Sequence, residues 1–554
     1  MKNFLNIFFI LLTFTFHSFG QLSVPNDWYF GNPDETYNGI SINKVYSELI
    51  KNKSPKSIIV GVIDSGIDID HEDLKENIWI NPGEIPANGI DDDKNGYVDD
   101  VYGWNFLGGP DGQNVAQDSY EATRVFASLR YKYENANPAT LNKNQKKEYD
   151  DYVKAKEIIE KETNKAKMNL SQLEMVEQKV MSAMDELEKS IIGKPFDKST
   201  LDSVNTDGNY LLTLAKNLSV EYLADPNISS ISDIKSIISE EIAHDKKDPS
   251  NKVNYAYNPD FDPRKTIVKD NYADPYEKFY GNNDVKGPDP LHGTHVGGII
   301  GAIRNNGLGN NGIVPNVKLM SVRAVPDGDE RDKDVANAIR YAVDNGASVI
   351  NMSFGKGFSP DKNVVDEAVR YAAKKDVLII HAAGNAGDNN DSTPTYPNDT
   401  FEKKSGLLCK KNKKAANWVT VGALNYKKGV NAIAPFSNYG LTEVDLFSPG
   451  MMIYSTTPND GYAPLQGTSM AAPVVAGVAA TIRSVYPSLT AEQVKDILIN
   501  SVTKVNEEVI VPGTSGDKVP FSKLCVSGGI VNMYKALQYA ENVKGKKKMK
   551  EVKA

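Results

Sequence analysis

The sequence predicts an α/β fold in which buried, mostly parallel strands are flanked by helices, with a large helical insertion in the first half of the chain. Residues 58–63 and 377–385 contain short apolar runs with several β-branched side chains, which are typical of strands buried on both faces of a parallel sheet. Residues 470–480 are small and apolar, as in a central helix. With 554 residues and 40% hydrophobic composition, the chain can bury a large core.

Three separate segments supply groups that are useful together in catalysis. Asp64 follows the strand 58–63, at the carboxyl end, where catalytic groups of open α/β sheets gather. His292 begins a segment that continues as the first turns of a buried helix, and Ser469 is expected to open the helix that contains 470–480, with its backbone N–H free. A carboxylate, an imidazole and a hydroxyl are the three groups that an activated serine nucleophile requires.

The motifs around these residues resemble those of the subtilisin-like serine peptidases, the subtilases. They are Val62–Gly66, His292–Gly298 and Gly467–Pro473, in the order Asp, His, Ser that is known for subtilisin. The resemblance implies a doubly wound, mostly parallel sheet with flanking helices and a secreted serine endopeptidase that acts through an acyl-enzyme. It also implies that Asp64 orients the imidazole, His292 is the general base and then the general acid, and Ser469 attacks the scissile carbonyl.

A fourth motif agrees with the resemblance. Asn385 matches the family asparagine whose amide forms the oxyanion hole with the backbone N–H of Ser469. Residues 350–355 resemble the edge strand that pairs with extended substrate and lines the first specificity pocket. The substrate-binding residues that the resemblance implies are Ser353, Phe354, Gly355, Ala382, Ala383 and Gly384.

Each of these motifs taken alone also has a structural interpretation. An aspartate after a strand is often a turn or capping residue, and an asparagine in a Gly-Asn pair often adopts a left-handed turn. Four matches in one order along the chain favour the catalytic interpretation. His71, His295 and His381 are expected to pack or to form hydrogen bonds.

An acidic loop after the first strand predicts a calcium site. Its residues match an EF-hand-type loop at positions 1, 3, 5, 6 and 9, but Tyr102 replaces the glutamate at position 12. Asp100 or a more distant carboxylate is a candidate for the missing ligand, and a solvated acidic turn is the alternative. The ligands predicted from this loop are Asp91, Asp93, Asn95, Tyr97 and Asp99.

A second calcium site is implied only by the resemblance. Asn306, in the segment 305–309, matches the calcium loop of many subtilases, and Asp73 matches the carboxylate that reaches this loop. A plain Asn-Gly turn is the alternative. Calcium is the only cofactor that we expect, with a structural role, and no organic cofactor is expected.

The 228 positions between Asp64 and His292 accommodate the predicted insertion, residues 113–280. Apolar residues recur at spacings of three and four, which indicates one face of a long amphipathic helix. They are Leu170, Leu173, Val176, Val180, Met184, Leu187 and Ile191. Further helices are expected at 145–165, 208–224 and 231–244, so that the insertion is a helical hairpin or small bundle. Its place in the chain suggests a position near one rim of the active site, where it shapes substrate access or inhibits the enzyme until it is cut.

Composition and termini limit the other classes of function. A net charge of −9 disfavours nucleic-acid binding. Residues 1–20 have the pattern of a signal peptide, and their apolar run is short for a membrane anchor. We therefore expect an exported protein, extracellular or periplasmic, with no membrane span after cleavage and with polypeptides as substrates. The predicted division is 1–20 signal peptide, 21–112 and 281–543 catalytic domain, 113–280 insertion, and 544–554 basic disordered tail.

Two questions stay open at this point. Cys409 and Cys525 either form a disulfide in an oxidising compartment or remain two buried thiols. The alternative function is a catalytically silent protein with the subtilase fold that binds partners, or a scaffold that acts through its helical insertion.

Overall fold

The computed structural model describes residues 24–402 and 414–546. The predicted signal peptide, Cys409 and the end of the basic tail lie outside the described residues. Contacts between Cα atoms divide the chain into two compact units. One is Ala122–Phe261, and the other consists of the flanking segments that end at Glu121 and resume at Asp262.

The flanking segments form a large, mostly parallel sheet. Within the described residues, nine strands lie in the order β10-β13-β7-β6-β5-β4-β1-β3-β2, and all neighbours pair in parallel except β10 and β13. The remaining strands form the hairpins β8-β9 and β11-β12. The strand bounds are β1 Ile58–Asp64, β2 Gly103–Asn105, β3 Val317–Arg323, β4 Val349–Met352, β5 Leu378–Ala382, β6 Trp418–Leu424, β7 Leu446–Pro449, β8 Ile453–Thr457, β9 Gly461–Leu465, β10 Thr503–Lys504, β11 Glu508–Ile510, β12 Lys518–Pro520 and β13 Gly529–Ile530.

Helices surround this sheet and also make up the second unit. Short helical turns occur at Trp28–Phe30, Ile42–Lys44, Val45–Leu49, Lys75–Asn77, Pro138–Thr140, Lys252–Ala256, Gly429–Asn431 and Phe521–Lys523. The longer helices are α1 Glu121–Tyr133, α2 Lys143–Ser190, α3 Lys198–Asp202, α4 Tyr210–Tyr222, α5 Ile231–Asn251, α6 Leu291–Gly301, α7 Asp332–Asp344, α8 Lys362–Lys374, α9 Thr468–Val485, α10 Ala491–Asn500 and α11 Met533–Glu541.

The sheet is covered by helices on both faces because its strands are apolar on both faces. In β1, Val60 and Val62 join the core cluster that contains α6 and α9, while Ile63 joins the cluster that contains α7 and α8. Side chains alternate between the faces of a strand, so an unbroken apolar run fits only a strand buried on both sides. The predicted doubly wound α/β fold is confirmed.

The central helix α9 is mostly apolar. Among the described residues, it alone has the length and composition that could cross a membrane, and 89% of that window is buried inside the protein. Its apolar surface therefore belongs to the core of the fold.

The unit Ala122–Phe261 is helical and has a hydrophobic core of its own. The predicted apolar stripe lies on α2, where Val176, Val180, Met184 and Leu187 are buried against α4 and α5. The predicted helix at 145–165 continues into this stripe, because no glycine or proline interrupts the 48 residues of α2. The assignment of 113–280 as an inserted domain stays a prediction.

Candidate active site

Asp64 ends strand β1, at the carboxyl edge of the sheet. The residue is 1% exposed, and its Oδ1 accepts a hydrogen bond of 2.8 Å from the N–H of Ser65. The second oxygen, Oδ2, has no hydrogen-bond partner among the described residues. A buried carboxylate that accepts so few hydrogen bonds is stabilised by a neighbouring group that carries a positive charge or donates a hydrogen bond.

His292 supplies that neighbour from the first turn of α6. Its Nδ1 lies 2.7 Å from Oδ1 of Asp64. The helix can approach β1 this closely because residue 293 is glycine, where a Cβ would lie 2.1 Å from the carbonyl oxygen of Gly66. Burial acts to lower the pKa of His292, but the Asp64 carboxylate outweighs burial and leaves the pKa above its ordinary value.

Ser469 is the second residue of α9, with its hydroxyl half-buried at the helix start. The hydroxyl donates to the carbonyl oxygen of Ser353 at 3.0 Å, and the Ser353 hydroxyl donates to the Ser469 carbonyl at 2.9 Å. Within the described residues, no hydrogen bond joins Ser469 Oγ to His292. The structure thus brings Asp64 and His292 into contact. It holds Ser469 by hydrogen bonds to the residue that directly follows β4.

One cavity connects these groups. It has a volume of about 610 Å³, and its lining includes Asp64, His292, Ser353 and Asn385. The carbonyl oxygen of Ser353 accepts the hydrogen bond from the Ser469 hydroxyl, and Ser353 lines the same cavity as the imidazole of His292.

Asn385 follows β5 in an exposed turn, and its side chain is fixed at one end. Its Oδ1 accepts hydrogen bonds from the N–H and the hydroxyl of Thr468, at 2.8 and 2.9 Å. A Cβ placed on Gly467 would lie 3.5 Å from both Nδ2 of Asn385 and the backbone nitrogen of Ser469. The two nitrogen donors therefore border one small space beside Gly467, into which a Cβ at this position would project.

The predicted substrate-binding residues lie at the ends of two neighbouring strands. Ser353, Phe354 and Gly355 follow β4, and the chain then pairs antiparallel with Tyr396 through the N–H and C=O of Lys356. Ala382 ends β5, and the next two residues continue toward Asn385. The residues thus placed at the carboxyl edge of β4 and β5 are Ser353, Phe354, Gly355, Ala382, Ala383 and Gly384.

His71, His295 and His381 are buried and do not line this cavity. His295 Nε2 lies 3.0 Å from the carbonyl oxygen of Ala463, and burial lowers the pKa of His295 to about 4. Burial also lowers the pKa of His381 to about 3, and His71 lies 3.1 Å from the carbonyl of Gly461. These contacts agree with the packing roles expected for the three side chains.

Three carboxylates at the acidic loop lie close together, and they include Asp93 from the predicted ligands and Asp100, the candidate for the missing one. Carboxylate atoms of Glu84, Asp93 and Asp100 all lie within 4.8 Å of one another. Glu84 is 8% exposed, and its Oε2 has no hydrogen-bond partner among the described residues. Burial raises the pKa of Asp100 to about 6. Hard oxygen ligands with an orphaned, buried member fit a calcium ion.

The other predicted ligands of this loop have different contacts. Asp91 accepts hydrogen bonds from the N–H groups of Asn95 and Gly96, and Asp99 accepts them from Asn88 and Gly89. Asn95 lies beside the cluster, where its Nδ2 donates to Asp93 and Asp100. The ring of Tyr97 packs in the core against Trp104 and Tyr341.

The second predicted calcium pair is in contact. Nδ2 of Asn306 donates to Oδ1 of Asp73 at 2.7 Å. Asp73 is fully buried, its Oδ2 has no hydrogen-bond partner among the described residues, and burial raises its pKa. This pair also fits a hard cation.

Several residues at the site were missed by the sequence reasoning. Thr468, which fixes Asn385, lies inside a motif that was recognised, but its role needs the turn geometry. Arg323, Asp289 and Asp327 line the cavity. Arg323 ends β3, and the rule that catalytic groups gather at the carboxyl ends of strands could have found it.

The comparison with known proteins agrees with this geometry. The model of the Subtilase family matches residues 55–516. The thermophilic serine proteinase of Bacillus sp. (strain AK1) is 39% identical over 201 residues, which are 35% of this chain and 44% of that protein. Thermitase of Thermoactinomyces vulgaris is 33% identical over 281 residues, 50% of this chain and 86% of thermitase. Subtilisin DY of Bacillus licheniformis is 36% identical over 220 residues, 39% of this chain and 72% of that protein. The chain belongs to the subtilase family and is a subtilisin-like serine endopeptidase.

Proposed function

We propose that this enzyme hydrolyses polypeptides outside the cell or in the periplasm, with Asp64, His292 and Ser469 as its catalytic triad. The observation that carries the proposal is the 2.7 Å contact between Asp64 Oδ1 and His292 Nδ1, beside a cavity that is also lined by Ser353, whose carbonyl oxygen accepts the hydrogen bond from the Ser469 hydroxyl. A hydrogen bond at Nδ1 selects the tautomer in which Nε2 accepts a proton.

The reaction begins when the Ser469 hydroxyl leaves the Ser353 carbonyl and donates to Nε2 of His292. Catalytic hydrogen bonds often form fully only once substrate is bound. Oγ then forms a bond to the scissile carbonyl carbon while its proton moves to Nε2. The C–N bond breaks as His292 gives that proton to the leaving amine, and water repeats the sequence to release the acid and restore the serine.

The developing oxyanion fits the space between Nδ2 of Asn385 and the N–H of Ser469. Both donors are fixed before substrate arrives, one by Thr468 and the other by the start of α9. Preorganised donors stabilise charge without a reorganisation cost during the reaction. The Asp64 carboxylate stabilises the imidazolium that forms at the same stage.

A fluorophosphonate probe tests this assignment. We expect the probe to label Ser469 of the wild-type protein, and Ser469→Ala to lose both labelling and peptide cleavage. Ser515→Ala, a change at an exposed serine in another loop, is the matched control. Labelling that persists in Ser469→Ala, or wild-type protein that is neither labelled nor active, would contradict the proposal.

We also propose that calcium stabilises the folded enzyme. Glu84, Asp93 and Asp100 would hold one ion, and Asp73 with the Asn306 loop would hold a second. The support is chemical: each group is built of oxygens, and each contains a buried carboxylate oxygen with no hydrogen-bond partner among the described residues. A calcium ion at either place would supply positive charge, which compensates the negative charge of the buried carboxylates.

Export and regulation complete the proposal. Residues 1–20 are proposed to be removed as a signal peptide, so that the secreted chain begins at Gln21. N-terminal sequencing of the mature protein checks this proposal. The helical region is proposed to regulate substrate access, and peptide hydrolysis before and after limited proteolysis of that region tests this role.

A silent binding protein or scaffold is the alternative, and the paired Asp64 and His292 side chains argue against it.

A further inference from the structure

A buried lysine, Lys356, directly follows the segment 353–355 that is predicted to bind substrate. Its side chain is 1% exposed. Its N–H donates to the carbonyl oxygen of Tyr396, and its own carbonyl oxygen accepts from the N–H of Tyr396, both at 2.9 Å. The end of the predicted substrate-binding segment is therefore fixed through main-chain hydrogen bonds.

The ammonium group of Lys356 contacts two carboxylates and a carbonyl oxygen. Nζ lies 2.6 Å from Oε2 of Glu121, 2.8 Å from Oδ1 of Asp332 and 2.8 Å from the carbonyl oxygen of Glu330. An ammonium has three N–H donors, and these contacts are enough to use all of them. Glu121 and Asp332 are both buried. Removal of one partner from a buried ion pair is costly, because the other charge stays in the protein interior.

Both acidic residues are held in place by further hydrogen bonds. Oδ2 of Asp332 accepts from the Ser359 hydroxyl at 3.0 Å and from the N–H of Asp361 at 2.9 Å. The N–H of Glu121 donates to Oδ2 of Asp329 at 2.8 Å. The lysine is therefore paired with fixed groups and not with mobile surface side chains.

The other end of the segment 353–355 contacts the proposed nucleophile. The carbonyl oxygen of Ser353 accepts from the Ser469 hydroxyl, and the Ser353 hydroxyl donates to the Ser469 carbonyl. The segment thus lies between two fixed points, Ser469 at one end and Lys356 at the other. A peptide that adds to a strand edge depends on main-chain hydrogen bonds, so the N–H and C=O groups of that edge must keep one geometry.

We propose that Lys356 is a positioning residue of the active site. Its ion pairs with Glu121 and Asp332 hold residues 353–355 in the geometry that pairs with the main chain of the substrate. Lys356 acts through the segment before it and does not itself touch the substrate. This inference rests on the proposed function, because it assumes that peptide lies along this segment when Ser469 attacks.

Lys356→Met tests this role, because methionine keeps an unbranched apolar side chain but removes the charge. The readout is kcat/KM for an extended peptide divided by the rate constant for labelling of Ser469 by a small fluorophosphonate. The small probe reacts at Ser469 without pairing along 353–355, so the ratio reports on the segment. The final extent of labelling counts the folded, active enzyme, and kcat is calculated from that count.

We expect Lys356→Met to lower the ratio by about tenfold, the equivalent of one or two main-chain hydrogen bonds to the substrate. The loss should fall on KM more than on kcat, because such hydrogen bonds form in the ground state and the transition state alike. Glu121→Gln, which weakens one of the two ion pairs, should lower the ratio in the same direction by a smaller factor.

Lys333 provides a matched control. Its side chain is 1% exposed, and its Nζ lies 2.6 Å from carboxylate oxygens of both Asp270 and Glu277 and 2.9 Å from the carbonyl oxygen of Asn271. This lysine has the same burial and the same kinds of partner, but it lies on α7 and not beside the substrate-binding segment. Lys333→Met should lower the melting temperature and leave the ratio at the wild-type value.

The variants separate a positioning role from a purely structural one. Equal falls of the ratio in Lys356→Met and Lys333→Met would attribute the effect to lost stability and refute the inference. If Lys356→Met does not fold, Glu121→Gln decides the question, with Glu277→Gln in the control cluster as its comparison.

The wild-type enzyme separates the two levels of the proposal. If Ser469 is labelled and peptide is cleaved, but the ratio stays at the wild-type value in Glu121→Gln and in folded Lys356→Met, the positioning role is refuted while the proposed function stands. If wild-type protein is neither labelled nor active, both are refuted together.

Discussion

His292 Nδ1 lies 2.7 Å from Asp64 Oδ1, although 228 positions separate the two residues in the chain. The contact joins the end of β1 to the first turn of α6, and Gly293 permits the close approach. The carboxylate also raises the pKa of the imidazole against the opposing effect of burial. If His292 is the base of the proposed triad, this pair sets both its tautomer and the pH range in which it works.

Asp64→Asn should change the pH profile as well as the rate. A general base acts when neutral, so the raised pKa of His292 places the acid limb of wild-type kcat/KM above the ordinary imidazole value of 6.5. Without the Asp64 carboxylate, burial still lowers the pKa of His292 and the charge of Asp289 still raises it, but the main raising influence is lost, so the acid limb moves to lower pH. We expect kcat to fall by about 10⁴-fold because the amide no longer selects the reactive tautomer.

The pH dependence of kcat/KM, measured for both proteins with one peptide, checks this prediction. Asp517→Asn controls for the loss of one negative charge at a distant surface. A limb that stays in place, or moves upward, would show that Asp64 does not set the pKa of His292.

Asn385→Ala should reduce kcat by about a hundred- to a thousandfold with little change in KM, since the lost donor acts on charge that develops after binding. Thr468 fixes the orientation of the Asn385 amide, so the wild-type donor does not have to rearrange when substrate binds. Steady-state kinetics give the measurement, and Asn500→Ala, on the exposed side of α10, is the control. An effect confined to KM would assign Asn385 to substrate binding.

The strands and helices that carry these groups could be predicted because their signals are local. Apolar, β-branched residues at 58–63 and small residues at 470–480 fit buried elements, and both are found in the structure. Asp64 and His292 were paired from their motifs. Their distance could not be predicted, because it depends on the packing of α6 against β1.

The limits of the sequence reasoning are clearest in the acidic loop. EF-hand spacing selects Asp91 and Asp99, but both carboxylates accept hydrogen bonds from main-chain N–H groups of the same loop. Glu84 lies before the motif and reaches the cluster only because the chain folds back, with its Oε1 accepting from the N–H of Asp92. Spacing along a chain can identify only those carboxylates that the loop itself brings together.

Gly467→Ala should impair catalysis without removing any donor. The new methyl group would occupy the space that borders Nδ2 of Asn385 and the N–H of Ser469, 3.5 Å from each nitrogen. We expect a loss of kcat approaching about a hundredfold, as for removal of one oxyanion donor.

The backbone strain of this change needs its own control, because the φ of Gly467 is 153°. Gly516 has a similar φ of 137° and open space around its Cβ position, so Gly516→Ala carries comparable strain away from the site. Equal losses in the two variants would attribute the effect to strain and refute a role for the space at Gly467.

Calcium should raise the thermal stability of the enzyme, and Glu84→Gln should reduce this rise. Ligand binding to the folded state alone contributes about 2.7 kcal/mol when the free ion is about 100 times its Kd. Glutamine retains an Oε1 that can accept from Asp92 but removes the charge from the orphaned position.

Melting temperatures with calcium and with chelator give the shift, and Asp91→Asn is the matched comparison within the same loop. Since Asp91 only accepts main-chain hydrogen bonds, we expect its variant to keep the wild-type shift. The reverse ranking would restore the EF-hand ligand set, and an absent shift in the wild-type protein would refute calcium binding coupled to folding.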